Sequence, residues 1–252
     1  MRPSDLGQNR LYGDLAYLWP VLSGPEGYAD EARNWAATLR DKLGPGRHRL
    51  LELGVGGGSN LSHFAGGFEV TAVDLSEAML AHSARVNPGV EHRVGDMRTV
   101  RLGRRFNAVI IHDAISYLLT EDDIRATLAT VLAHLEPGGV FVGSPDRYRE
   151  MFSDPELEAE GPRTKGDIQL TYISYTHDPD PADTTIESVM LYFIRRGGEL
   201  RIEGDRHILG LFPLTTWLSL MAEAGFVVEK RACSHGNDPL QPYLLIGTRT
   251  GS

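Results

Sequence analysis

The stretch Leu50–Asn60, "LLELGVGGGSN", decides how the rest of the chain is read. An apolar run ends in Glu52, and Gly54, Gly56, Gly57 and Gly58 follow within five residues. A strand that breaks into glycines before a helix presents bare backbone amides to a ligand. The dinucleotide fingerprint requires glycines at 54, 56 and 59, but position 59 is Ser. Gly54, Gly56 and Gly58 spell G-x-G-x-G instead. A Walker loop requires a Lys followed by Ser or Thr, and Gly58-Ser59 does not supply it. The glycines alone leave the ligand open, because strand–turn geometry by itself also selects them.

Three acids give the loop its context. Glu52 stands two residues before Gly54, at a strand end, where a carboxylate meets a ligand ammonium. Asp74 stands twenty residues after Gly54 and ends the run "EVTAVD". A carboxylate there accepts hydrogen bonds from ribose hydroxyls. Asp96, in "VGDM", is placed to hold an adenine amino group with Met97 packed on the base, and Leu75 joins Asp74 on the same rim. Any one of these acids is equally a helix cap or a solvated turn. The three together converge on the carboxyl edge of a parallel sheet, where such folds bind ligands. They also discriminate among nucleotides. S-Adenosylmethionine has no phosphate and carries a sulfonium and an ammonium, so an acidic rim suits it. A short-chain dehydrogenase needs Tyr-x-x-x-Lys, yet the residues four before Lys42, Lys165 and Lys230 are Thr38, Gly161 and Phe226.

The organisation around the loop is alternating. Runs "RLLEL", "FEVTAVD", "VEHRVGD", "FNAVIIH" and "GVFVGS" read as strands, with helices expected near 57–65, 76–85 and 120–135. In the last of these Thr120 can cap, acids fill the first turn and Pro137-Gly138-Gly139 ends it. This predicts an α/β fold, a Rossmann-like sheet with helices on both faces. The first ~45 residues read as helical, with the segment "EGYADEARNWAATLRDKL" the clearest helix. Three strand-like runs over 168–208 have no helix between them and predict an inserted antiparallel meander, followed by a helix near 214–224 and two final strands. The expected division is an N-terminal helical cap over 1–46, a cofactor domain over 47–145 and 209–252, and a substrate or lid region over 146–208.

Composition narrows the partners. The 252 residues carry a net charge of −9, which argues against nucleic acid or an anionic membrane surface and favours a small-molecule partner. No apolar run approaches a membrane span, the N-terminus lacks a signal-peptide core, and a lone cysteine, Cys233, gives no disulfide framework, so a cytoplasmic protein is expected. Arginine, alanine and glycine richness matches a high-GC bacterial composition.

Taken together, "LELGVGGG", "VDLSEAML", "GDMRTVRLGRRFNAVI", "ISYL" and "LEPGGV" resemble the class I S-adenosylmethionine-dependent methyltransferases, with a seven-stranded sheet. The resemblance spans roughly 10–248. "GDMR", "LGRRF", "HLEPGGV", a Pro145…Phe152 segment and "HILGLFPLTTWLSLMAEAGF" look most like bacterial small-molecule enzymes related to the N,N-dimethyltransferases of deoxyamino sugars. There are departures. Those enzymes usually carry Asp and Ala-Cys-Gly-Thr-Gly where this chain has Glu52 and Gly-Val-Gly-Gly-Gly. Their Glu-Pro-Trp-Trp-Phe is here "SPDRYREMF", and their Phe-Ser-Ser is "HDA". The resemblance implies methyl transfer to an amine or hydroxyl of a small molecule in bacterial natural product biosynthesis, with S-adenosylhomocysteine as product. It leaves the acceptor undefined. A non-catalytic cofactor-binding protein, or a non-methylating user of the same cofactor, stays open, as does a homodimer built on the meander.

Methyl transfer is an in-line displacement for which a protein supplies alignment and dryness, and a base only when the nucleophile arrives protonated. His112 and Asp113, in "IIHDAISYL", project from the end of the fourth strand. His112 either takes a proton there or packs beside the cofactor. By resemblance, Tyr117 matches an active-site aromatic or histidine, Tyr12 and Tyr17 belong to a segment that closes over the cofactor, and His207 lies on a strand lining the substrate pocket. Asp146 and Tyr148 follow strand five and face either substrate or solvent. Asp113 and Asp146 without a spaced His or Asn ligand make a weak metal signal, and no metal is expected.

Overall fold

The computed structural model describes residues 2–232 and 243–251; Cys233 lies outside the described residues. A single helical turn, α1 (Trp19–Leu22), precedes helix α2 (Ala29–Leu43), strand β1 (His48–Leu53) and strand β2 (Phe68–Asp74). Helix α3 (Glu77–Val86), β3 (Glu91–Val94), β4 (Phe106–Ile111), α4 (Glu121–His134) and β5 (Leu135–Gly143) continue the alternation. Strands β6 (Glu156–Lys165), β7 (Ile168–His177), β8 (Thr185–Arg196) and β9 (Glu199–Gly210) follow without a helix. Helix α5 (Leu214–Glu223), β10 (Phe226–Ala232) and β11 (Tyr243–Arg249) close the fold.

These strands make two sheets. The larger has seven strands in the order β10-β11-β5-β4-β1-β2-β3. β1 pairs in parallel with β2 and β4, β3 with β2 and β5 with β4, whereas β11 runs antiparallel to both β5 and β10. Because side chains alternate across a strand, both covered faces must be apolar. Leu51, Leu53, Val109 and Ile111 pack on one side with Ile124, Leu128 and Val131 of α4 and Trp217, Leu220 and Met221 of α5. Leu50, Ala108, Ile110 and Val142 pack on the other with Ala32, Trp35, Ala36 and Leu39 of α2. Trp35 is fully buried. Truncating such a side chain costs roughly 3–5 kcal/mol.

The sequence-based expectations hold for the sheet and fail in three places. The helix expected over 57–65 is a turn followed by 3₁₀ turns at Leu61–His63 and Ala65–Gly67. Glycines at both ends weaken it, and its backbone is satisfied elsewhere: Asn87 Nδ2 donates to the Gly58 carbonyl at 2.9 Å. The meander has four strands, ordered β6-β7-β8-β9. The missed strand β6 contains Gly161-Pro162, which reads as a break, but β6 is an edge strand with a register irregularity between Glu160 and Arg163. Proline is tolerated at such an edge, where its missing N–H faces no partner. Residues 1–46 do not pack as one helical cap. Up to Leu22 the chain is 3₁₀ turns and the single turn α1, and Leu11, Leu15, Leu18 and Val21 bury against Leu170, Tyr192 and Ile194 of the smaller sheet. Helix α2 instead belongs to the larger sheet.

Candidate active site

β1 delivers the glycine loop at the carboxyl edge of the larger sheet, between β2 and β4. Gly54 has φ 75°, and a Cβ there would fall 2.2 Å from Ala114 Cβ, so both conformation and space demand glycine. At Gly57 a Cβ would fall 2.0 Å from Trp19 Nε1, which places the α1 indole directly against the loop. Asp74 closes the loop from the side. Its Oδ2 accepts from Gly56 N and its Oδ1 from Ser76 N, both at 2.8 Å. Burial pushes this carboxyl above its ordinary range, and the amides oppose that shift. Ser76 Oγ donates to the Tyr12 carbonyl at 2.6 Å and accepts from Met79 N at 3.1 Å, joining the N-terminal segment to the cap of α3.

Glu52 shares the α2 side of β1 with Leu50. It is 2% exposed, and its Oε2 finds no hydrogen-bond partner among the described residues. Burial pushes its carboxyl up to about 8, partly offset by the nearby His112. A buried carboxylate oxygen without a donor is costly and rare. A ligand ammonium would supply the partner that this oxygen lacks.

The end of β4 carries an ion cluster. His112 Nε2 lies 2.5 Å from Glu31 Oε1 of α2, and His112 Nδ1 lies 2.9 Å from Asp113 Oδ1. The ring also packs on Trp35, with centroids 5.1 Å apart. Burial alone would lower this imidazole, but Asp113 and Glu31 together hold it well above its ordinary value. Each ring nitrogen thus faces a carboxylate oxygen. Asp146 follows β5 and is exposed as a residue, while the protein around its carboxyl and the charge of Asp113 push that group well up.

A second constellation joins the two sheets. Tyr12 OH lies 2.9 Å from Tyr117 OH, and Tyr117 OH lies 2.6 Å from His207 Nδ1. His207 Nε2 donates to Asp205 Oδ2 at 2.8 Å. The fully buried Asp205 carboxylate also accepts from Leu11 N at 2.7 Å and from Arg10 N and Arg206 N at 2.8 Å. These residues come from the N-terminal segment, the turn after β4 and strand β9.

Comparison with known proteins follows from this geometry. Residues 50–139 match the family model described as a methyltransferase domain. A dTDP-3-amino-3,4,6-trideoxy-alpha-D-glucopyranose N,N-dimethyltransferase from Streptomyces venezuelae is 34% identical over 86% of this chain and 91% of its own length. The crystal structure of DesVI, also from Streptomyces venezuelae, superposes with a TM-score of 0.80 at 28% identity, covering 99% of both chains. CalS10, an amino pentose methyltransferase from Micromonospora echinaspora solved with its cofactor bound, gives a TM-score of 0.76 at 28% identity, over 94% of this chain and 96% of its own.

The chain belongs to the class I S-adenosylmethionine-dependent methyltransferases.

S-Adenosylmethionine is accordingly the cofactor, and the residues present fit it: the unpartnered Glu52 oxygen and the raised Asp74 suit a ligand bearing an ammonium and hydroxyls but no phosphate. The remaining expected residues of this methyltransferase are placed as follows. Leu75, 66% exposed, stands bare beside Asp74 on the rim. Asp96 lies two residues beyond β3, and Arg98 engages both its oxygens, the shortest contact being 2.7 Å. Met97 packs against the core below the rim. Tyr17 is exposed on the N-terminal segment. Tyr148 departs from its expected place: it is 1% exposed within the core, its hydroxyl donating to the Tyr243 carbonyl at 3.1 Å, so it does not face the cleft.

Four residues of the site escaped the sequence reading. Glu31 lies one helical turn before Trp35 on α2, so the apolar periodicity of that helix carried a signal for it. Asp205 alternates with His207 on one face of β9, a period-two signal. Trp19 had none, because the glycines it meets are distant in sequence; Ser76 carried a local cap signal for α3 but none for its bond to the Tyr12 carbonyl. Among the described residues Glu31, His112 and Asp113 form the one grouping close enough to offer three ligand atoms to a metal, and each is already paired with another of the three. No helix among the described residues is long and apolar enough to cross a membrane.

Proposed function

We propose that this methyltransferase methylates the amino nitrogen of a small sugar-like molecule in bacterial secondary metabolism. The observation that carries the reading is the Tyr12–Tyr117 hydroxyl pair, which meets at 2.9 Å beside the cofactor loop. Asp113 and Asp146 both act electrostatically on Tyr12. A site with these carboxylates near two phenolic oxygens receives an ammonium better than a neutral hydroxyl. The related enzymes that methylate nucleotide-linked amino sugars support the same choice. The net negative charge and ordinary composition agree with a cytoplasmic enzyme acting on a small molecule.

Bound S-adenosylmethionine supplies a methyl group already activated on a sulfonium. Glu52 would receive its ammonium and Asp74 its ribose hydroxyls, and Gly54, Gly56 and Gly58 would let the backbone approach. Leu75, Asp96 and Met97 border the adenine. His112 holds Glu31 and Asp113 together as an imidazolium, so its contribution is to fix the cleft wall rather than to remove a proton. Asp113 and Asp146 orient the acceptor, with Tyr17 at the entrance. Trp19 and Tyr12 exclude water from the reacting atoms.

The deciding experiment offers S-adenosylmethionine with matched amine and hydroxyl acceptors and reads methylated products by mass spectrometry. Mono- and dimethylated amine products with no ether support the reading; ether products alone refute it. In the same assay Asp74→Asn, which keeps one acceptor oxygen, is expected to raise the cofactor Kd about tenfold, the loss of one hydrogen bond to a charged group. An unchanged Kd by calorimetry removes Asp74 from the ribose.

A further inference from the structure

With His207 neutral, the hydrogen-bonded row from Asp205 to Tyr12 takes a direction, and Asp205 sets it. Its carboxylate accepts four N–H groups, from Arg10, Leu11, Arg206 and His207, and is held below its ordinary range despite burial. A carboxylate so placed accepts and never donates. A neutral His207 would then carry its proton on Nε2, toward Asp205, and present a lone pair at Nδ1. Tyr117 then donates to Nδ1, and its oxygen accepts from Tyr12. Among the described residues no further donor reaches the Tyr12 oxygen, and Tyr12 is only half-buried. The row thus ends, at the cleft, in an acceptor.

We propose that the proton released by the acceptor amine passes through the Tyr12 and Tyr117 hydroxyls to Nδ1 of His207, with Asp205 holding the imidazole in the tautomer able to receive it. The balance is one proton in and one proton stored. The N–H bond of the acceptor ammonium breaks and a new O–H bond forms on Tyr12. The original Tyr12 proton moves to Tyr117, and the Tyr117 proton moves to Nδ1. His207 becomes an imidazolium beside the Asp205 carboxylate, and the row reverses its polarity. After the product leaves, the same row returns the proton to water at Tyr12. Neither phenol needs to become a phenolate, in keeping with burial that pushes both hydroxyls up. A dimethylation requires this discharge twice.

The groups facing the row are few. Asp205 lies on the same strand as His207, and Ser188 stands opposite it on β8. Tyr117 comes from the turn after β4 and Tyr12 from the N-terminal segment, whose ring lies 5.5 Å from that of His207. Asp146 acts on both phenols through space, Asp113 and Asp74 act on Tyr12, and the buried Tyr192 interacts through space with Tyr12, Asp205 and Arg10. His207 reaches the substrate only through two hydroxyls, so it is a positioning residue with an acid–base role, and its test must separate that role from support of β9.

The proposal rests on the amine reading above, and one arm of the test is independent of it. In the ligand-free protein labelled with ¹⁵N-histidine, His207 is expected to show a proton on Nε2 and a bare Nδ1. A proton on Nδ1 with Nε2 bare overturns the proposal whatever the acceptor. The second arm uses dTDP-3-amino-3,4,6-trideoxy-alpha-D-glucopyranose as probe, or whichever amine the product assay yields. His207→Asn keeps an acceptor toward Tyr117 but cannot store a proton. Its kcat is expected to fall about 10- to 100-fold at pH 6.5 and to recover to within about threefold of wild type at pH 9, where the free amine is plentiful. KM should move little, and Tyr117→Phe should show the same pH-dependent loss, with the double variant no worse than either single. A loss equal at all pH values, or losses that multiply, assigns His207 to support and overturns the relay. Absence of any methylated amine refutes the amine reading instead, and the tautomer then decides the arrangement.

Discussion

Glu52 shows how one side chain sets a pH dependence. Burial raises its carboxyl from 4.5 to about 8. A carboxyl raised on folding contributes stability that is complete below about 4.5 and is lost as pH climbs through about 8. Glu52→Gln, which never ionises, is therefore expected to match the wild-type Tm at about pH 4 and exceed it at about pH 8.5 without cofactor, a comparison made by thermal melts. The same variant should bind S-adenosylmethionine at least tenfold more weakly, since the ligand ammonium loses its counter-charge. For the wild type, calorimetry in buffers of differing ionisation enthalpy should detect proton release on binding near pH 7. Equal melts at both pH values would remove Glu52 as a buried acid. That an acid stood at position 52 was plain from the sequence; that one of its oxygens lacks a donor was not, because pairing depends on residues from α2, β1 and β4 brought together.

At the level of elements, the loop after β1 carries the strictest constraint. Gly54→Ala combines a left-handed φ of 75° with a Cβ 2.2 Å from Ala114 Cβ. Strain and overpacking of this kind cost about 1–3 kcal/mol each. The expected outcome is a lower Tm by urea or thermal unfolding together with lost cofactor affinity, whereas Gly103→Ala, also at positive φ but with open space around it, should cost only the conformational share. Similar losses for the two would argue against the close approach to Ala114. Helices α3 and α4 were legible because their starts are encoded locally: Ser76 accepts from Met79 N, and Thr120 and Asp123 form a reciprocal cap. Strand β6 was not, because edge position, which makes Pro162 harmless, is a property of the assembled sheet.

On the scale of the whole molecule, the N-terminal segment holds the two sheets to one site. Arg10 reaches Glu203 at 2.8 Å, Asn9 N donates to the Arg206 carbonyl at 3.0 Å, and the Tyr12 carbonyl accepts from Ser76 beside the loop. Leu15, 1% exposed, anchors the segment on the smaller sheet. Leu15→Ala removes about 2–5 kcal/mol of burial there. Hydrogen exchange is expected to quicken over residues 8–22 while the β1 and β4 amides keep their protection, and turnover should fall with the displacement of Tyr12. Uniform loss of protection would show that the segment unfolds only with the whole protein.

The order of strands, the glycine loop, the acids at strand ends and hence the cofactor were determined by the sequence itself, since each depends on neighbours within about twenty residues. Asp205 and His207 on β9 met Tyr12 and Tyr117 only through folding, as did Glu31 with His112. These contacts span up to 195 residues, and no local pattern encodes a partner at that distance. The sequence alone named what the loop binds, and the tertiary structure decided which side chains stand ready to receive a proton.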